Sequence, residues 1–246
     1  MMTVTIAIIS FISAFVFALG GVGAAIILIP ILVSMGIPIN VAKPVGLFFN
    51  TISLAGASIH NIKNKRLDFY TGIPIIVSSF IFAILGAYTS KFIPKETILF
   101  LFVLFLLFSG TMFLLKGNSK KETYRTDRPY ILLFLIGAIS GLLSGMLGVG
   151  GGGIISPLML MLKYNPKKTA TITAFVVPFS SFSGFLTYWA MGSIDWHILL
   201  VASISGLLGA TLGTKFMHSH LEPRTIKKIL AIILLLMAVK LLLKIL

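Results

Sequence analysis

Six stretches of this chain, residues 1–42, 44–62, 69–90, 97–115, 129–162 and 169–194, contain no Asp, Glu, Lys or Arg. A helix rises about 1.5 Å per residue and a bilayer's hydrocarbon core is about 30 Å thick, so most of these runs are long enough to cross one. Only 11% of the residues are charged and 57% are hydrophobic, whereas a soluble domain carries roughly 25% charged residues to face water. The apolar pattern is helical or unresolved and lacks the strict alternation of a porin strand. The sequence therefore predicts an all-α polytopic membrane protein. Its start, MMTVTIAIISF, has no basic residue and leads into no soluble domain, so it reads as a structural segment and not a cleaved signal. With no cysteine, disulfides and thiolate metal sites are excluded.

The net charge of +14 raises nucleic acid as a partner, but the Lys and Arg residues sit in short loops between apolar runs. Such loops are held on the side of the bilayer that faces anionic lipid. The charge is read as a topology signal, and no nucleic-acid partner is expected.

An internal repeat is visible. ALGGVGAAIILIP at 18–30 matches MLGVGGGGIISP at 146–157, and Asp68-Phe69 matches Asp195-Trp196. Two transmembrane halves follow, 1–116 and 129–246, joined by a basic linker at 117–128. Loop 61–69 holds Lys63, Lys65 and Arg66, whereas its mate 190–196 holds only Asp195; loops 36–43 and 163–168 show the reverse bias. Equivalent loops with opposite charge bias point to inverted halves. Inversion needs an odd number of crossings per half. Three plain spans fit each half (44–60, 70–90 and 96–115; then 169–189, 197–216 and 225–244), leaving 3–35 and 129–162 as units that enter and return to one side. Whether these are shallow re-entrant loops or pairs of near-complete helices is open, giving 8 to 10 membrane segments. The linker is placed in the cytoplasm and both termini outside.

The turns of the returning units fall at Gly20, Gly21 and Gly23, and at Gly150 to Gly153. Gly148, Gly150 and Gly153 satisfy G-x-G-x-x-G, but no charge lies nearby and the next acidic residue is Asp195. A dinucleotide fold needs an acidic residue about 20 positions on, so that reading fails. Irregular backbone survives inside hydrocarbon only against protein or a water-filled cavity. Where a half-helix begins, its free N–H groups favour an anion, and discontinuous helices form the sites of repeat transporters. Close helix packing also uses glycine. The six acidic residues all fall at segment ends or in loops, so a carboxylate-based pump lacks its central group. The interior polar groups are hydroxyls and an amide, suited to desolvating a small oxyanion. The candidate substrate-binding residues are Gly20, Gly21, Gly23, Asn50, Thr51, Gly150, Gly151, Gly152, Ser180 and Ser181. The competing readings are a structural helix contact for Asn50 and bonding back to the helix for the hydroxyls. His60 and Lys43 are candidates for a proton-accepting or gating role, and Lys43 also for attracting anions at the outer mouth, against an idle interfacial histidine and a snorkelling lysine. No catalytic residue, metal site or cofactor is expected.

GGVGAAIILIP and GVGGGGIISP, each ahead of a polar-dotted span, resemble the glycine–proline signatures of the sulfite exporter TauE/SafE family, and the likeness covers nearly the whole chain. The resemblance implies transport of a small sulfur-containing anion or organosulfonate, such as sulfite or sulfoacetate, with a proton as the coupling partner in many members. It implies a multi-pass protein of the cell membrane and leaves the oligomeric state open. Alternating access is the expected mechanism, and an anion channel using the glycine segments as a constriction is the alternative.

Overall fold

The computed structural model describes residues 2–17, 22–63, 67–115, 124–192, 194–220 and 223–245, without the side chains at 57, 60, 214–220, 223–227, 244 and 245. Among the described residues the chain is helical, with a single 3-10 turn at Ser90–Phe92. The first half holds α1 (Met2–Phe17), α2 (Ala25–Ser34), α3 (Ile39–Lys63), α4 (Phe69–Thr89) and α5 (Lys95–Leu115). The second holds α6 (Tyr130–Leu147), α7 (Gly152–Met161), α8 (Pro166–Ala190), α9 (Trp196–His220) and α10 (Pro223–Ile245). Five helical stretches, Phe69–Phe92, Lys95–Leu115, Tyr130–Leu147, Pro166–Ala190 and Trp196–Gly213, are long and apolar enough to cross a membrane. Apolar side chains such as Ile73, Val77, Ile81, Leu104, Ile131, Leu135 and Leu208 face outward, while the buried polar set is almost entirely Ser and Thr. That distribution is the reverse of a water-soluble surface and fits a lipid-facing one. The fold is all-α, polytopic and built for a bilayer.

The two short helices that follow the glycine runs match. α2 and α7 each have 10 residues with proline at the sixth, Pro30 and Pro157. Both helices stop in the same way, with a left-handed residue, Gly36 (φ 91) or Lys163 (φ 64). Around each, the N–H of Gly36 reaches Val33 O and that of Ile37 reaches Leu32 O, as Lys163 reaches Leu160 O and Tyr164 reaches Met159 O; this is the double bond of a glycine-type helix stop. The packing is exchanged between halves: α4 lies on α6 and α9 on α1, α3 on α9 and α8 on α4, while α5 meets α10. The equivalent helices α3 and α8 run antiparallel, because Ser58 reaches the Ala174 carbonyl while Leu47 lies against Gly184. The two ends of the α6–α7 unit meet. Arg125, just before α6, donates its N–H to Lys163 O, just after α7, at 2.9 Å. With 18 residues, α6 spans about 27 Å, and α7 is half that depth.

Prolines inside spanning helices free a carbonyl four residues earlier, and water cannot satisfy it in lipid. Two hydroxyls meet that need. Pro157 leaves Gly153 O without its helical donor, and Ser109 of α5 donates to it at 2.9 Å. Pro178 does the same to Ala174 O, which Ser58 of α3 reaches at 2.7 Å. Ser109→Ala should therefore cost about 1–3 kcal/mol, the penalty of an orphaned buried carbonyl. Adding Pro157→Ala restores the helical donor and should recover most of that loss. Unfolding midpoints of the four proteins in detergent check this; equal losses for Ser109→Ala with and without the proline would refute it.

Candidate functional site

One face of α3 organises the middle of the molecule. Lys43, Gly46 and Asn50 follow each other by three and four residues and so line one stripe of a helix. That stripe runs along the second half's turn, Gly148–Val149–Gly150. A methyl on Gly148 would touch the Lys43 stem at 2.7 Å, one on Gly46 would touch Gly148 O at 2.8 Å, and one on Gly150 would touch Asn50 Nδ2 at 2.5 Å.

Asn50 is fully buried. Its Oδ1 accepts the Ala25 N–H, at the start of α2, at 3.0 Å. Its Nδ2 donates to Val149 O, in the other half's turn, at 2.6 Å. One carboxamide thus joins both broken segments across the repeat. Gly23 (φ 87) and Gly150 (φ 71) are in the left-handed region, and each turns its Cα toward the same carboxamide. The backbone requires glycine there for conformation and for space. Gly152 packs against the Val22 backbone so closely that any side chain would land on the Val22 carbonyl.

The second half adds Ser181 on α8. Its hydroxyl is buried with no hydrogen-bond partner among the described residues, and a methyl on Gly150 would lie 2.9 Å from it. A donor left unused this deep is costly, and it faces the place where the turns and Asn50 meet. The other hydroxyls of the candidate set are turned home. Thr51 donates to Leu47 O at 2.9 Å and Ser180 to Val177 O at 3.1 Å, each bonding back to its own helix. Gly151 caps α7 and Gly152 is its first residue, so the turn occupies Gly148–Gly151 and not Gly150–Gly153. Gly20 and Gly21 lie outside the described residues, as does the His60 side chain.

Charge is confined to the two ends of this core. At one end Lys43 is 3% exposed, not snorkelling: its Nζ donates to Ser90 Oγ at 3.2 Å and stands 5.3 Å from the centre of the Tyr188 ring. At the other end Asp68 caps α4 and pairs with Lys168 at 2.7 Å and Arg128 at 3.3 Å, so both halves and the linker's end are tied by one carboxylate. Burial pushes that carboxyl up, but hydrogen bonds from Lys168 and Thr71 and the Lys168 charge outweigh it and hold it at about 2. A depressed carboxyl contributes stability above its ordinary value and loses it only as pH falls toward the lowered one, so this tie persists through neutral pH. Neither Ser90 nor Tyr188 stood out in the sequence. The i, i+7 spacing of Lys43 and Asn50 is the signal that could have joined those two; nothing local marks Tyr188, which arrives from the end of α8.

The arrangement offers hydroxyl, amide and ammonium groups around two helix breaks, with carboxylates only at helix ends and in the linker among the described residues. Hydrogen-bond donors prevail in that set, and its one described cation is Lys43. Comparison with known proteins gives the family. The family model for the sulfite exporter TauE/SafE matches residues 6–241. A probable membrane transporter protein of Methanocaldococcus jannaschii is 28% identical over 92% of this chain and 90% of its own. The probable membrane transporter protein YunE of Bacillus subtilis is 25% identical over 97% of this chain and 96% of its own. A sulfite exporter TauE/SafE family protein of Arabidopsis thaliana is 34% identical over 40% of this chain and 23% of its own. The chain belongs to the sulfite exporter TauE/SafE family, and it is a membrane transporter and not an enzyme.

Proposed function

We propose that the small anion this secondary transporter moves is sulfur-containing, a sulfur oxyanion or small organosulfonate such as sulfite or sulfoacetate, and that it crosses by alternating access at the glycine turns. The observation that carries this reading is the Asn50 carboxamide bridging Ala25 and Val149. Two halves held at their breaks by one side chain, beside the unused Ser181 hydroxyl, have a contact that can be exchanged for one to a ligand. The antiparallel crossing of the equivalent helices α3 and α8 supports inverted repeats, the arrangement in which rocking of one unit against the other exposes a central site to each side in turn. The buried state of both described turns favours a closed carrier over an open pore. On this layout the Asp68–Lys168 end and linker 117–128 face the cytoplasm and both termini face out. His60 is the residue through which a proton would be coupled.

Proteoliposome flux with sulfite, sulfate, thiosulfate, sulfoacetate and taurine, with and without a pH gradient, tests this. Saturable uptake with counterflow is expected for at least one sulfur anion, and Ser181→Ala should raise its KM about tenfold, the loss of one hydrogen bond to a charged group. Unitary conductance without saturation would replace the carrier with a channel. Single cysteines in loops 61–69 and 190–196, on the native cysteine-free background, should label from opposite sides; labelling from one side would remove the inverted layout.

A further inference from the structure

Lys43 is a buried cation without a counter-ion among the described residues. It is 3% exposed, its hydrogen bond among the described residues goes to the neutral Ser90 hydroxyl, and no described carboxylate pairs with it. A buried charge is retained at a cost unless it is paired and hydrogen-bonded. Lys168, in the first turn of α8, shows what a structural solution looks like, because it has Asp68 at 2.7 Å. No described carboxylate does this for Lys43.

What stands beside Lys43 instead is a pair of neutral hydroxyl side chains, Ser90 and Tyr188. Ser90 caps the C-terminus of α4 and lies 2.8 Å from the Tyr188 hydroxyl. Tyr188, near the end of α8, reaches Gly145 O in the last turn of α6 at 2.9 Å. Both hydroxyls beside the ammonium are thus bonded in turn to carbonyls near helix ends, Ser90 to Ala87 O at 2.8 Å and Tyr188 to Gly145 O. An ammonium has three donors, and among the described residues one is used. Lys43 also lies on the stripe that leads, through Gly46, to Asn50 and the turns.

We propose that Lys43 is the counter-charge of the transported anion: its ammonium, with the Ser90 and Tyr188 hydroxyls beside it, binds a small oxyanion at this end of the path. The assignment rests on the anion-carrier reading above and names the residue that neutralises the cargo. A sulfite, thiosulfate or sulfonate oxygen takes the two free ammonium donors, and the Ser90 bond yields to it. The ammonium does not have to be deprotonated, so the site itself calls for no proton.

The test compares wild type, Lys43→Met, Lys43→Gln and Lys43→Arg by thermal unfolding in detergent. Each is measured in sodium gluconate and again with sulfite, thiosulfate or sulfoacetate at matched ionic strength. Wild type should melt several degrees higher with at least one of these anions, and Lys43→Arg should keep part of that rise. The neutral variants should lose it while melting no lower than wild type in gluconate, because they remove an uncompensated charge and keep the stem. In proteoliposomes their KM should rise at least tenfold. Neutral variants that keep the anion-dependent rise, or that melt lower and transport with unchanged KM, would overturn the assignment and make Lys43 a structural bolt. Failure of both neutral variants to fold would overturn it too, since a charge kept for a ligand is dispensable to the fold. If wild type shows neither a rise nor flux with any of the three anions, the carrier reading itself falls; flux in wild type with unaltered neutral variants removes only Lys43.

Discussion

Asn50→Ala should be the most damaging single loss of a side chain in this protein. It strands two backbone groups at once, the Ala25 N–H and the Val149 carbonyl, in a place where Asn50 itself is 0% exposed. Each orphaned buried group costs about 1–3 kcal/mol, so the pair should cost about 2–6, against a total stability of about 5–15 kcal/mol for a typical folded domain. The void left by the carboxamide adds to that, since Gly23 and Gly150 have no side chains with which to fill it. Asn50→Asp keeps the acceptor for Ala25 but turns an acceptor toward Val149 O, so it should be no better. Reversible unfolding in mixed micelles, read beside the yield of monodisperse protein, measures the effect. An Asn50→Ala protein as stable as wild type that has lost transport would mean that the bridge contributes nothing to the fold and that Asn50 serves the ligand alone. Loss of stability and transport together is the expected result, and it would make the bridge the joint about which the halves are assembled.

The sequence made the overall plan legible because lipid leaves few choices. Charge-free runs read as membrane helices, of which five described stretches are long and apolar enough to span, and glycine runs read as breaks, since every backbone group must find a partner inside hydrocarbon. The periodicity of three and four also contained the stripe Lys43–Gly46–Asn50, although those residues drew notice for separate reasons. What could not be read was which hydroxyls were already spent. Thr51 and Ser180 look the same in sequence as Ser181, yet the first two bond back to Leu47 and Val177 and the third has no partner among the described residues. The difference is set by rotamer and by the neighbouring helix, neither of which has a local sequence signature. Ser58 and Ser109 were missed for a related reason. Their task is to satisfy carbonyls freed by prolines that lie 120 and 48 residues away in the chain, and only the packing brings them together. The start of α7 fell two residues earlier than the glycine content suggested, because Gly152 and Gly153 are used for close approach to Val22 and Phe105. In this fold glycine in a helix is tolerated where it lets backbones touch.

Gly141→Leu should abolish folding, and Gly141→Ala should already be costly. Gly137, Gly141 and Gly145 are spaced by four along one face of α6. They meet Ile75 and Ser78, then Ser79, then Ala83 and Ala87 of α4, so the two helices run parallel at backbone contact. A methyl on Gly141 would fall on the Ser79 carbonyl and Cα, which are backbone and cannot rotate away. Overpacking by one methyl costs about 1–3 kcal/mol in a close-packed core; a leucine would force the helices apart along their whole contact. Ile139, half-exposed on the outer face of the same helix, is the control, and Ile139→Leu should stay within about 0.5 kcal/mol of wild type. The same parallel approach recurs where Gly209 and Gly213 of α9 meet Phe11 and Phe15 of α1. Helix pairs in backbone contact have no side-chain layer to rearrange, so each pair should move as one body. Relative motion of the α4–α6 body against the α1–α9 body is then left to the α3–α8 crossing and the Asn50 bridge, which are held by side chains. A Gly141→Ala protein with wild-type stability would show that α4 and α6 stand far enough apart to slide, and the moving joint would have to be sought there instead.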